Sequence, residues 1–439
     1  SGLYISPSPQ NRFAGYGGIK ISENDAFSAI LEGLQSEDPF TRESSIDLTC
    51  SLKIEQNIDK VIPIVADLIN DPDKGVSLAA ITAIASFGKK ASIAEENLRI
   101  ALNKNDNHFS HIAFALYKIG ADPKEGIDKI KILLNIDDKF INQKRTALHL
   151  LADFGKMAMQ VADELKSILR YGEDKSKTND RTSIIPCIEN ETLLRLGVLH
   201  IVSHIKADAA PLLDALFDSI KKEPTSDGYP SYLDSLAESI SNIGASAVPF
   251  LINKLKNPAK DVAEQEKFVA LKSLALIGPD AKEAAPELFK ILLETKRRES
   301  RYPLVRALVS MEESIHSFLE EKLKSSDIKA SCLAMELFAQ IVKEPNAADI
   351  ALLNEKLTQG LQTNNKNLLT EAAFSIKTYV QNLLGQTKPT QSLDTQCKLT
   401  EALGISAKNL LAARRVVGEK LDEIVKFVIP FTSKDAVKP

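Results

Sequence analysis

The stretches that decide the fold are Asn242–Leu251, with the sequence NIGASAVPFL, and Ala275–Leu288, with the sequence ALIGPDAKEAAPEL. In both, a glycine follows the last apolar residue of a helical pattern, and small residues and a proline come next. Glycine takes a positive φ without a Cβ clash, so it is favoured just past the end of a helix. Proline is tolerated in the first turn of the helix that follows. Each stretch therefore predicts a helix, a short turn and a second helix.

The same turn recurs along the chain with a period of 32 to 35 residues. Lys206 and Glu312 stand in phase with the turn glycines, at positions where the glycine itself is missing. A fixed period of this length, with two apolar helices per unit, is typical of helical repeat proteins. The predicted structural turn glycines are Gly88, Gly120, Gly155, Gly244 and Gly278.

We expect an all-α protein, a right-handed α-solenoid of about ten helical hairpins in which each hairpin buries its apolar face against its neighbours. The predicted array covers residues 23–385. It follows a non-repeat N-terminal arm at 1–22 and precedes a helical C-terminal cap at 386–439. A polar stretch at 171–191 is in excess of the period and is predicted to be a loop insertion.

The repeat motif resembles the HEAT-repeat family, in particular the short bacterial repeats called phycobilisome-lyase-like HEAT repeats. Residues 243–251, 275–281 and 285–288 carry the resemblance, which extends at lower similarity over most of the chain. It implies an armadillo-like superhelix that binds other macromolecules. A repeat motif specifies the fold well and the function poorly.

Composition limits the classes of partner. The 439 residues include 55 Lys and Arg against 59 Asp and Glu, a net charge of −4, so we expect no general attraction to nucleic acid or to an anionic membrane. No apolar stretch has the length of a membrane span. The chain lacks tryptophan, which often stacks on bases. We slightly favour a cytoplasmic location, and an exported form whose signal peptide has been removed stays open.

The sequence offers no arrangement for catalysis, and we expect neither an enzyme nor a cofactor. His200 and His204 have the spacing of a metal pair on a helix, but the sequence supplies no third ligand nearby. The cysteines are too widely spaced for a metal site or a disulfide framework. Two of them, Cys50 and Cys332, fall on apolar helix faces and are predicted to be buried free thiols.

The strongest candidate for partner binding is a basic cluster at the junction of two repeats. Arginine forks beside a tyrosine could bind phosphate or the carboxylates of a partner. The alternative is a solvated loop whose cations pair with Glu294 and Glu299. The candidate partner-binding residues are Lys296, Arg297, Arg298, Arg301, Tyr302 and Arg306.

Three functions remain open at this stage. The leading hypothesis is a non-enzymatic scaffold or adaptor, within a larger assembly, that binds another protein along the concave row of second helices. The second is a nucleic-acid-binding or base-excising HEAT-like protein, which the net charge disfavours. The third, a chromophore-lyase-like chaperone of a protein subunit, is suggested by the resemblance alone.

Overall fold

The computed structural model describes residues 23–51, 57–104, 108–136, 140–170, 184–222, 232–341, 347–385 and 393–432. Every regular element in these ranges is a helix, arranged as successive hairpins, so the prediction of an all-α solenoid is confirmed. The right-handed sense of its coiling stays a prediction. The chain divides into two compact units, residues 1–222 and 223–439.

In the first unit the even-numbered helices are the first helices of the hairpins, and the odd-numbered ones are the second helices. The first helices α2, α4, α6, α8 and α10 pack in sequence, each against the next. The helices are α1 Glu23–Leu34, α2 Pro39–Ser51, α3 Ile58–Leu68, α4 Lys74–Phe87, α5 Glu95–Asn103, α6 Phe109–Ile119, α7 Lys124–Asn135, α8 Ile141–Ala152, α9 Ala162–Arg170, α10 Ile184–Ile205 and α11 Leu213–Asp218.

The second unit repeats this arrangement, with α12, α14, α16, α18 and α20 packed in sequence as first helices. The last long helix, α21, packs against α19, α20 and α22. The helices are α12 Tyr232–Ile243, α13 Val248–Lys256, α14 Ala263–Ile277, α15 Ala285–Glu294, α16 Arg298–Val309, α17 His316–Leu323, α18 Ile328–Ile341, α19 Ala347–Gln362, α20 Lys366–Gly385, α21 Leu393–Val417 and α22 Asp422–Val428.

The turns inside the hairpins depend on backbone conformations that favour glycine. Gly88 has φ 59° and ψ −141°, and Gly278 has φ 67° and ψ −131°, a region that is nearly closed to residues with a Cβ. The three other turn glycines also have positive φ. So do Lys206 at 52° and Glu312 at 53°, the two residues that stand in phase without being glycine. The hairpin turn thus keeps its positive φ at the two positions where the glycine is replaced by another residue.

Aspartates cap the helices that open new hairpins and join neighbouring repeats. Asp38 accepts a hydrogen bond from the backbone N–H of Thr41 in the first turn of α2, at 2.9 Å. Asp73 caps α4 in the same way. The carboxylate of Asp71 instead accepts two hydrogen bonds from the Arg42 guanidinium, each 2.9 Å long. This fork ties one repeat to the next across 29 residues of sequence.

Two predicted boundaries fall partly or wholly outside the described residues. The N-terminal arm at 1–22 lies outside them entirely. Of the predicted loop at 171–191, residues 171–183 lie outside, whereas 184–191 belong to the first turns of α10. The region predicted as a C-terminal cap is helical over the part the structure describes, 393–432.

One segment, Lys74–Asn103, is long and apolar enough to cross a membrane by length and composition. It is not one continuous α-helix, because Gly88 ends α4 and the 3₁₀ segment Gly88–Ala94 separates it from α5. A spanning helix needs about 20 consecutive residues, more than either α4 or α5 contains. Its apolar side chains, such as Ile81 and Leu98, lie in the core between the hairpins.

Candidate functional site

The predicted basic cluster lies between α15 and α16 and along α16. Lys296 and Arg297 occupy the connection and are exposed, and Arg298 is the first residue of α16. Neither Lys296 nor Arg297 forms an ion pair or a side-chain hydrogen bond within the described residues. Glu294 and Glu299, the acidic neighbours in sequence, are exposed and, within the described residues, pair with neither Lys296 nor Arg297. In the part of the chain that the structure describes, the positive charges of Lys296 and Arg297 are therefore uncompensated.

Arg301 differs from the rest of the cluster because it is engaged inside the unit. Its guanidinium donates a hydrogen bond to the backbone carbonyl of Leu292 at 3.2 Å. It also lies 3.5 Å from the Glu336 carboxylate on α18. The side chain of Arg301 is half-buried and joins α15, α16 and α18, so its role in the described structure is packing.

The aromatic member of the cluster, Tyr302, is 70% exposed on α16. Phe268, 43% exposed, occupies the equivalent position on α14, the first helix packed beside α16. Arg306 lies one turn beyond Tyr302, on the same helix face, and is exposed without an ion pair in the described structure. We call Phe268, Lys296, Arg297, Tyr302 and Arg306 the basic–aromatic patch.

A second exposed surface, which the sequence analysis did not single out, lies on the second helices of the first unit. Ile100 on α5 and Ile132 on α7 are 43% and 64% exposed. They stand the same number of residues beyond Gly88 and Gly120, and both helices pack against α6. Ile136, 40% exposed, directly follows the last residue of α7 and has extended backbone. We call Ile100, Ile132 and Ile136 the isoleucine stripe.

Two cations beside the isoleucine stripe are paired within their own helices. Arg99 lies 2.7 Å from Glu95 on α5, and Lys131 lies 3.7 Å from Asp128 on α7. Such pairs contribute little to stability at the surface.

Three histidines meet on the first helices of the first unit. The rings of His149 and His200 stack with centroids 5.2 Å apart, and those of His200 and His204 lie 4.2 Å apart. His204 Nδ1 donates a hydrogen bond to the His200 carbonyl at 2.9 Å. Burial lowers the pKa of His200 below its ordinary 6.5, His204 and His149 lower it further, and Asp153 opposes them.

In the part of the chain that the structure describes, no group of three or more His, Cys, Asp and Glu side chains is placed to hold a metal ion. The thiols differ from the prediction in one respect. Cys50 is exposed, so its predicted burial is wrong, whereas Cys332 is half-buried. Burial raises the pKa of Cys332 to about 11. This thiol is therefore protonated at neutral pH and a poor nucleophile.

No family model matches the chain. A stretch of 106 residues, 23% of this chain, is 30% identical to the Integrator complex subunit 4 homolog of Dictyostelium discoideum and covers 8% of that protein. The crystal structure of Kap121p is similar over 93% of this chain and 47% of that chain, with 16% identity and a TM-score of 0.42. The karyopherin Kap121p bound to the extreme C-terminus of the protein phosphatase Cdc14p is similar over 94% and 48%, with a TM-score of 0.40.

The chain thus spans about half the length of Kap121p and a small part of the Integrator relative. At these identities and TM-scores the similarities assign neither a family nor a function to this chain. They give no support to the bacterial, phycobilisome-lyase-like subtype that the sequence resembles. The architecture itself, stacked helical hairpins, agrees with a HEAT-like repeat protein.

Proposed function

We propose that this chain is a non-enzymatic scaffold that binds a partner protein along its second helices. The observation that carries the proposal is the isoleucine stripe, in which two exposed residues, Ile100 and Ile132, stand at the same position of successive repeats. Single exposed apolar residues are ordinary, but a recurring set on one layer is typical of an interaction surface. Repeat proteins bind partners on such extended surfaces and need no pocket.

The basic–aromatic patch supplies a second contact in this proposal, on the first helices of the other unit. Because each unit has a surface of its own, the chain would be able to hold two components of one assembly. The chromophore-lyase-like alternative finds no support in any described residue.

The experiment is an affinity purification from an extract of the source cells, comparing the intact chain with a double variant, Ile100→Asp and Ile132→Asp. Both residues are exposed, so the variant is expected to fold, which circular dichroism checks. We expect the variant to lose a specific partner protein. Phe374→Asp, at a residue 46% exposed on α20, is the matched control and retains it. Equal recovery by all three chains, or recovery of nucleic acid alone, would reject the proposal.

A further inference from the structure

The basic–aromatic patch differs from the equivalent surface one repeat earlier, because there the equivalent cation is paired with carboxylates. On α14, the ammonium of Lys272 reaches back to the preceding first helix. It lies 2.6 Å from the carboxylate of Asp234, 38 residues earlier, and 3.9 Å from that of Glu238, both on α12. Lys272 is thus neutralised by its neighbouring repeat.

Arg306 occupies the position on α16 that Lys272 occupies on α14. The residues at the same two offsets before Arg306 are Phe268 and Lys272. Where α12 offers two carboxylates, α14 therefore offers an aromatic ring and another cation. The side chain of Arg306 is exposed and forms no hydrogen bond or ion pair within the described residues. The two positions that supply carboxylates to Lys272 thus supply none to Arg306.

The surroundings of Arg306 add positive charge and aromatic surface. Lys296 and Arg297 precede α16 and are likewise unpaired in the described structure. Tyr302, 70% exposed, stands on the same helix between these cations and Arg306. A guanidinium presents two parallel N–H donors that match a carboxylate, and an exposed tyrosine ring gives apolar contact area at a low entropic cost.

We infer that the basic–aromatic patch binds an acidic segment of a partner protein, with carboxylates on Arg306 and Arg297 and an apolar side chain against Tyr302 and Phe268. The inference rests on the proposed scaffold function and names the chemistry of one contact. Charge complementarity selects this occupant, since the side chains of Lys296, Arg297 and Arg306 are unpaired in the described structure and the net charge of −4 disfavours a nucleic-acid surface.

The test uses the full chain and a short fluorescein-labelled peptide of alternating glutamate and leucine, with fluorescence anisotropy as the readout. We expect the peptide to bind the intact chain and Arg306→Glu to weaken binding about tenfold or more. Arg415→Glu is the matched control, because Arg415 is exposed and unpaired in the described part of the same unit. That control is expected to change binding by no more than about twofold.

A second variant, Phe268→Asp, supplies the missing carboxylate from within the chain, at the position equivalent to Asp234. We expect it to remove peptide binding as Arg306→Glu does while leaving the thermal midpoint unchanged or raised, because the new carboxylate pairs with Arg306. A merely unfolded variant would lower that midpoint.

Three outcomes would overturn the inference: no binding of the peptide to the intact chain, an equal loss in Arg415→Glu, or displacement of the peptide by oligothymidylate at equal concentration. Any of them, found while Ile100→Asp and Ile132→Asp still abolish recovery of the partner, would reject the patch and leave the scaffold function intact. If, in addition, the Ile100→Asp and Ile132→Asp variant still recovered the partner, the scaffold function would be rejected as well.

Discussion

At the scale of single residues, the hairpin turns contain side chains in a conformation that costs energy. Lys206 has φ 52° at the end of α10, where the neighbouring repeats have glycine. In the left-handed region the Cβ of an L-residue approaches the following carbonyl oxygen. The turn persists because the buried faces of α10 and α11 fix its geometry, as with Leu212 and Leu216, which are fully buried.

Lys206→Gly is therefore expected to stabilise the first unit by about 1 kcal/mol, because it removes this steric cost. The measurement is native-state hydrogen exchange of α10 and α11, which reports the local free energy of opening. Lys221→Gly serves as a control, since Lys221 is exposed and has no positive φ. Slower exchange in the control, or faster exchange in Lys206→Gly, would contradict the account.

His200 makes the first unit sensitive to acid. Its pKa is lowered in the folded state, by burial first and by His204 and His149 next. A histidine whose pKa is lowered by folding binds a proton more readily in the unfolded chain. Its contribution to stability is therefore present above pH 6.5, the ordinary pKa, and is lost as the pH falls below that value. Asp153 is the acidic group that opposes the shift.

We expect the thermal midpoint of the intact chain to fall as the pH is lowered from 7.5 towards 5.5, and His200→Gln to reduce this dependence by removing one imidazole whose pKa is lowered in the folded state. The midpoint is followed by circular dichroism across that window. Kept above about pH 5, the series avoids most carboxylate titration. An unchanged slope in His200→Gln would show that the stacked imidazoles do not control it.

At the scale of helix pairs, the approach of α6 and α7 depends on the absence of one side chain. A Cβ built on Gly126 would lie 2.4 Å from the Cβ of Ala113 and 2.9 Å from its backbone Cα. Gly404 in α21 is the opposite case, because a Cβ there meets nothing within 4 Å. Substituting alanine at Gly126 therefore tests close packing, whereas the same substitution at Gly404 tests helix propensity alone.

Gly126→Ala is expected to destabilise the α6–α7 pair by about 2 kcal/mol, since overpacking outweighs the gain in helix propensity. Gly404→Ala is expected to stabilise α21 by up to about 1 kcal/mol. Hydrogen exchange in each helix checks both. The same sign of change in both variants would contradict this explanation of Gly126.

The helical hairpins and the positions of their turns could be predicted because they depend on local signals that recur. Most turns are marked by a glycine after the apolar residues of one helix and by a proline at the start of the next. The period between these turns then places Lys206 and Glu312 in turns as well, although neither residue is a glycine. The state of Arg301 could not be predicted, because its partner Glu336 is on a later helix and the pairing depends on how the helices pack.

The isoleucine stripe was missed for a related reason. An apolar residue in an amphipathic helix is first taken as core, and Ile100 stands between the buried Leu98 and Leu102. A signal was present, since Ile132 recurs at the same offset between Ile130 and Leu134, which are also buried. Comparing offsets between repeats, rather than apolar periodicity within one helix, would have found both.

At the scale of the whole molecule, the chain has two compact units built from one motif, and each carries its own exposed surface. The first unit has the apolar isoleucine stripe on second helices, and the second has the basic–aromatic patch on first helices. Because the helices are held by neighbouring repeats, neither surface has to fold upon binding. We expect little loss of conformational entropy in this chain when a partner binds.

The central claim, that a partner protein lies along the second helices, is tested most directly by placing a photo-crosslinking amino acid at Ile100, at Ile132 and, as a control, at Lys290, the equivalent exposed position on α15. After irradiation in an extract of the source cells, the account predicts that Ile100 and Ile132 cross-link the same polypeptide. Cross-linking there should be blocked by substitution of the other isoleucine with aspartate. No cross-linked polypeptide at either isoleucine, or the same set of polypeptides at Lys290, would contradict it.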